Sequence, residues 1–407
     1  MYPVDSGIGS FINSIMLVGV FFLLPIFLFA LWWELRLIYK RFQFIEKMEW
    51  DFLEIRISQN IVKTPKSMES VFSNLYGIYS FGIKLLDKYL DGKVDRWLSF
   101  EMVGHDGGVS FYIRCTKGDR HLVESAIYSN YPEVEIVPAV DYTTHFPSVL
   151  PSDVYDVFGA NYVLAKANPY PIRTYDEFED PKDEKRVDPL ASLTEALSKL
   201  KDDEVAWVQL IISPTGALTG HNIKKDGDAL IQKIIEERSP KRYDKEGVAI
   251  PSFGTFALTR GDQEIIKAIE EKTAKLAFQV TLRFLYIDKK ESFSSQNVSA
   301  IMGSFQQFGT THMNSLKPEL TTFGGVLARL FPWYKKVRLF AKKRRLYDYY
   351  VTRRFGYSGR LRDEKLPILN VEELATIFHF PSLVVKAPKM NLLPSRKGGP
   401  PVNLPID

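Results

Sequence analysis

The sequence predicts an α+β protein: one N-terminal transmembrane helix, two α+β lobes that each suit the split βαβ (ferredoxin-like) type, and an extended Pro-rich tail. Three observations lead there. No side chain between Asp5 and Glu34 is charged. Strand-like alternation followed by a helix-like stripe occurs twice, and five prolines from Pro388 to Pro405 crowd the C-terminal end with Gly398 and Gly399. A hydrophobic content of 45% over 407 residues excludes disorder throughout. The lone Cys115 excludes an intramolecular disulfide and a cysteine-rich metal site.

The run from Phe11 to Trp33, FINSIMLVGVFFLLPIFLFALWW, is long enough for a bilayer: 23 residues of helix reach about 34 Å against a hydrocarbon core of roughly 30 Å. A cleaved signal peptide fits less well, because the run is too long, no basic residue precedes it and no small-residue cleavage site closes it. Pro25 falls mid-span, where it reads as a tolerated kink. Trp32 and Trp33 stand where the interfacial aromatic belt belongs, and Arg36, Lys40, Arg41 and Lys47 follow at once. The expected topology is single-pass in the cytoplasmic (inner) membrane, N-terminus outside and C-terminus in the cytoplasm. Leu35, Ile38, Phe42 and Ile45 then continue as an amphipathic juxtamembrane helix.

In the first lobe Thr64 and Pro65 mark a helix start, with Met68, Val71, Phe72, Leu75 and Ile78 as its apolar stripe. Leu98, Phe100 and Met102 alternate, Asp106, Gly107 and Gly108 turn, and Val109, Phe111, Ile113 and Cys115 alternate again, which is a β-hairpin. A helix carrying Leu122, Val123, Ala126 and Ile127 follows, then a short strand with Val134 and Ile136. The second lobe opens on VAWVQLII, Val205 to Ile212, whose nearly continuous apolar and β-branched character reads as a central strand. Leu276, Phe278, Val280, Leu282 and Phe284 alternate with Gln279, Thr281 and Arg283, and Val298, Ile301, Met302, Phe305 and Phe308 share a helix face. A helical insertion over roughly residues 226–275 interrupts this lobe.

The expected organisation is an anchor with juxtamembrane helix (1–50), a first lobe (51–174), an acidic linker and helix (175–204), a second lobe (205–332), a basic helical segment with a capped helix (333–384) and the tail (385–407). Charge is concentrated in one place. Residues 335–365 carry 12 basic and 3 acidic side chains, net +9, while the rest of the chain has 41 against 46, net −5. Lys335, Lys336, Arg338, Lys342, Lys343, Arg344, Arg345, Arg353 and Arg354 are the candidate contacts to nucleic acid or anionic lipid, with Phe340, Tyr347, Tyr349, Tyr350, Phe355 and Tyr357 interleaved for base stacking. A helix solvated on its basic face, with these aromatics turned inward, accounts for the same pattern.

No catalytic constellation is legible. The chain lacks G-x-x-x-x-G-K-[ST] and H-E-x-x-H, its six histidines are scattered, and Gly104, Gly107 and Gly108 surround a hairpin rather than a dinucleotide turn. No catalytic residue, metal ligand or cofactor is expected, and the chain reads as non-enzymatic.

Five strings form a recognisable set: SFEMVGHDGGVSFYIRC (Ser99 to Cys115), YSNYPEVEIVPAVDYT (Tyr128 to Thr143), NPYPIRTYDEFED (Asn168 to Asp180), DPLASLTEALSKL (Asp188 to Leu200) and LNVEELATIFHFP (Leu369 to Pro381). Together they resemble the amino-terminal region of membrane-anchored bacterial proteins related to type IV secretion and conjugative-transfer ATPases, where it precedes a HerA/FtsK-like motor. The resemblance spans about residues 1–405, and the last string is its most specific part. Locally that string reads as a helix capped by Asn370, with Glu373 reaching back and Pro381 ending it. The motor is missing here, so no nucleotide-site residue can be carried over. The resemblance therefore implies a scaffold or docking component of a DNA-transfer machine, partnered by a separately encoded P-loop ATPase. Glu372, Glu373, Phe378 and His379 are its expected docking residues. A membrane tether that binds nucleic acid directly is the alternative, and homo-oligomerisation and DNA binding are left open.

Overall fold

The computed structural model describes residues 5–57, 63–79, 86–105, 108–178, 188–201, 203–215, 222–238, 242–243, 249–250, 258–320, 332–356 and 366–381. Asp106 and Gly107 of the hairpin turn, the greater part of the acidic linker, Arg360, Arg362 and Lys365 of the basic segment, and the Pro-rich tail lie outside the described residues. The chain divides into two compact units, Met1–Glu49 with Phe81–Asp95, and Trp50–Ser80 with Arg96–Asp407.

The first unit is built on α1 (Asp5–Glu46), one uninterrupted helix of 42 residues with Pro25 inside it. Its stretch from Phe21 is long and apolar enough to cross a membrane. Four consecutive residues, Phe21, Phe22, Leu23 and Leu24, are each more than half exposed. Consecutive residues point in all directions around a helix, so no face of it is reserved for a protein core, as suits a helix solvated by lipid. A helical turn over Asp87–Asp91 packs against α1, where Arg36 donates to the Tyr89 carbonyl at 3.5 Å, and the turn is closed on itself by Lys93 pairing with Asp87 at 2.9 Å. Gly92 has φ +72° and lies so close to the Lys40–Arg41 backbone that a Cβ would fall 2.6 Å from a main-chain carbon. Glycine is required there on both counts.

The second unit holds two copies of one topology. The first copy runs β1 (Trp50–Arg56), α2 (Pro65–Leu75), β2 (Leu98–His105), β3 (Gly108–Thr116), α3 (Arg120–Tyr128) and β4 (Glu135–Pro138), with the antiparallel order β4-β1-β3-β2. The second runs β5 (Tyr155–Leu164), α4 (Ala191–Ser198), β6 (Val205–Pro214), β9 (Ala277–Lys289), α7 (Ser295–Ser304) and β10 (Leu316–Leu320), in the equivalent order β10-β5-β9-β6. Both are split βαβ arrangements. Between β6 and β9 the second copy carries an insertion of α5 (Ile223–Arg238), a two-residue ladder of β7 (Arg242–Tyr243) and β8 (Ala249–Ile250), and α6 (Arg260–Ala274).

The copies are not separate lobes. β2 pairs antiparallel with β6 over eight residues, from Leu98 opposite Ile212 to His105 opposite Val205, and merges the two into one sheet. β6 is thus a central strand, which explains why Val205–Ile212 is apolar on both faces. The sequence pattern alone does not mark the pairing strands β1, β5 and β10. They complete the topology through partners distant in the chain.

One face of the sheet is covered by α2, α3, α4, α7 and a short helix α9 (Val371–Ile377), over a core that includes Phe100, Phe111, Leu210, Phe284 and Phe378. The capping box expected at α9 forms: Asn370 Oδ1 accepts from the Glu373 amide at 2.8 Å, and Glu373 Oε2 accepts from the Asn370 amide at 2.9 Å. At α2 Thr64 occupies the N-cap in extended conformation, but its side chain makes no capping bond. β11 (Ile368–Asn370) pairs with the start of β9. On the opposite face lies the basic helix α8 (Pro332–Val351), whose Leu346, Tyr347 and Tyr350 pack on Val157, Trp207, Leu285 and Ile287. Helices therefore cover both faces of the sheet, because both faces of the central strands are apolar.

Candidate functional site

α8 approaches the sheet where Gly159 of β5 leaves room. A Cβ at this position would stand 2.8 Å from Leu346 Cδ2. Beyond Val351 the chain turns sharply, with Arg353 at φ +49° and Gly356 at φ +88°. That turn aims Arg353 into a row of polar side chains running across the sheet. Glu101 on β2 faces Gln209 on β6, which in turn faces Arg283 on β9.

All three of these are fully buried, and Arg353 is nearly so. Arg353 donates to both oxygens of Glu101, at 2.8 and 3.1 Å, and to both oxygens of Asp141, at 2.6 and 3.0 Å. Glu101 also accepts from Ser99 at 2.6 Å, Tyr142 at 2.7 Å and Gln209 at 3.0 Å. The Tyr142 and Tyr350 hydroxyls meet at 2.9 Å. From the other side Arg283 donates to the carbonyls of Tyr349, Arg354 and Gly356, so a cation closes the C-terminal end of α8. Burial alone would lower the Arg353 pKa, but the Glu101 charge and the Asp141 hydrogen bonds outweigh it and hold the guanidinium charged. Burial would raise the Asp141 carboxyl, and Arg353 holds it below the ordinary carboxylate value instead. Desolvation, then the Glu101 charge, pushes the Tyr142 and Tyr350 hydroxyls up. The cluster is a clamp: it neutralises charges of the first copy with a residue that follows α8.

A second buried pair joins the insertion to α9. Lys272 lies 3.1 Å from Glu373, both fully buried, and Glu373 also accepts from the Ile172 amide at 2.8 Å. Burial pushes Glu373 up and Lys272 down, and their mutual attraction opposes both shifts.

These placements divide the expected contacts. Arg353 is withdrawn into the clamp, which corrects its expected role toward nucleic acid or lipid: a guanidinium 2% exposed cannot reach either. Lys343 is paired to Asp156 at 2.7 Å, and Arg354 lies over the Tyr349 ring at 5.1 Å. Lys335, Lys336, Arg338, Arg344 and Arg345 are exposed and Lys342 is half-buried. Of the interleaved aromatics, Tyr347, Tyr349 and Tyr350 are buried and Phe355 stacks on Trp97, Phe340 is exposed, and Tyr357 lies outside the described residues. The docking surface expected at the capped helix is likewise corrected. Glu373, Phe378 and His379 are interior, and Glu372 is held by Lys275 at 2.5 Å. His379 bridges the Ala375 carbonyl at 2.8 Å and Asp188 at 2.9 Å. The capping signal was readable; the burial of the whole helix depended on α2, with which it packs.

Among the described residues no three His, Cys, Asp or Glu side chains converge as metal ligands would. Cys115 is buried, and desolvation pushes its thiol up to about 12, far from a reactive thiolate.

A family model described as a domain of unknown function (DUF8128) matches residues 92–391, most of the chain. The chain belongs to this family. The DUF8128 region takes in both buried clusters, from Glu101 to Glu373, together with the whole second copy and α8, while α1, β1 and α2 precede it. No curated protein matches the chain.

Proposed function

We propose that this chain is a membrane-tethered scaffold that docks a separately encoded P-loop ATPase in a type IV secretion-like, DNA-transfer machine. The observation that carries the reading is the clamp. Glu101 and Asp141 from the first copy, and Gln209 and Arg283 from the second, all engage the end of α8, making the fused sheet a single support for that helix. A body whose buried charges are spent on mutual neutralisation, and whose longest helix outside the anchor projects cations, is suited to hold other molecules. The resemblance to conjugative-transfer proteins supplies the class of partner. The basic flank after Trp33 supports an orientation with the sheet in the cytoplasm.

Affinity purification of the full chain from native membranes is expected to recover a P-loop ATPase. Repeated recovery of none from an intact complex overturns the proposal.

A second reading, direct tethering of nucleic acid, is favoured by the exposed Arg344 and Arg345. It requires oligonucleotide binding that weakens steeply with salt and is lost in a Lys342→Ala/Arg344→Ala/Arg345→Ala variant.

A further inference from the structure

We infer that the first turns of α8, Trp333 to Lys342, are an interfacial membrane contact for anionic lipid, a second attachment besides the α1 span. This goes beyond the scaffold reading and shares with it only the anchor.

Three large apolar side chains of this stretch face solvent: Trp333 is 67% exposed, Val337 62% and Phe340 46%. Spacings of four and three residues put them on one stripe of the helix. Around that stripe stand Lys335, Lys336, Arg338 and Lys342, and no acidic residue occurs from Pro332 to Tyr347. Apolar residues of the aromatic and branched kind, embedded in cations on a short helix, are the composition of a helix lying at the headgroup boundary: the rings enter the acyl region and the cations meet lipid phosphates.

The stretch is presented rather than left loose. Its continuation is fixed to the sheet by buried Leu346, Tyr347 and Tyr350, by Lys343 on Asp156, and by the Arg353 clamp. The sheet is also tethered to the anchor through the chain itself, because only Lys47, Met48 and Glu49 separate the end of α1 from β1. Such tethering raises the effective concentration of membrane surface and lets a modest interfacial affinity suffice. Nucleic acid fits less well. Tyr347, Tyr349 and Tyr350 are buried away from any base, and between the exposed Trp333 and Phe340 stands Val337, which gives bases no ring to stack on but suits an acyl layer.

The test uses the full chain, inserted by its own anchor into vesicles of phosphatidylcholine alone or mixed with phosphatidylserine. A Val337→Cys variant carries an environment-sensitive fluorophore, with a Lys233→Cys variant as the control on exposed α5. The label at 337 is expected to shift to the blue and be quenched by spin-labelled lipid in the anionic vesicles only. The Lys335→Glu/Lys336→Glu variant is expected to lose both signals while its melting temperature is unchanged, since both side chains are exposed. A label that stays aqueous in both vesicle types, enters both equally, or responds only to an added DNA oligonucleotide overturns the inference. Recovery or loss of the ATPase in the affinity experiment bears on the scaffold reading alone.

Discussion

Arg353 binds both carboxylate oxygens of Glu101 across 252 positions of sequence, and each residue is almost wholly withdrawn from water. One comes from the turn after the basic helix, the other from a strand of the first copy. Their pairing decides where α8 lies.

Breaking this pair is expected to be costly, because it strands a buried carboxylate. Arg353→Ala should lower stability by about 3–5 kcal/mol, the range typical of an orphaned buried charge. Chemical denaturation measures it. Arg353→Met combined with Glu101→Leu should recover much of the loss, and a double variant no better than the single one would contradict the account.

Asp141 gives the clamp a pH signature. Its folded pKa lies below the ordinary 3.8, because Arg353 outweighs burial. A depressed carboxyl contributes stability that is whole above the unfolded value and is lost as pH falls through the folded one. Stability should therefore decline as pH drops below about 4, where carboxylates begin to protonate in the unfolded chain. Asp141→Asn should be less stable at neutral pH and show a shallower decline. Parallel denaturation midpoints for the two proteins between neutral and acid pH would refute this.

Gly159 is where α8 and β5 come closest. Gly159→Ala puts a methyl 2.8 Å from Leu346 Cδ2 and closer still to the Phe284 carbonyl, so the helix or strand must shift. An overpacking loss of about 1–3 kcal/mol is expected, visible in the thermal midpoint and in the fluorescence of Trp207 beneath the helix.

The proposed single-pass topology is open to a labelling test. A cysteine at Lys267, on the exposed face of α6, should react with a membrane-impermeant maleimide only after the inner membrane is permeabilised. Reaction in cells whose inner membrane is intact would reverse the proposed orientation. Cys115 should stay unmodified in either case, being buried with its thiol pushed up to about 12.

Part of this fold is legible in the sequence alone. The uncharged run of α1, the β2–β3 hairpin, the two-faced apolar strand β6 and the Asn370–Glu373 capping box each follow from neighbours within a few residues of one another. Side-chain period and local hydrogen bonding operate at that range, so sequence alone determines such elements. Other features carry no local signature. The merging of the two copies through β2 and β6 joins residues about a hundred positions apart, and the division of α8 into a clamped half and an exposed half rests on Asp156, Glu101 and Asp141. A run of lysines and arginines looks the same in sequence whether its charges meet solvent or a buried carboxylate. Only the packed sheet, which brings distant acids under particular cations, decided which of them remain at the surface.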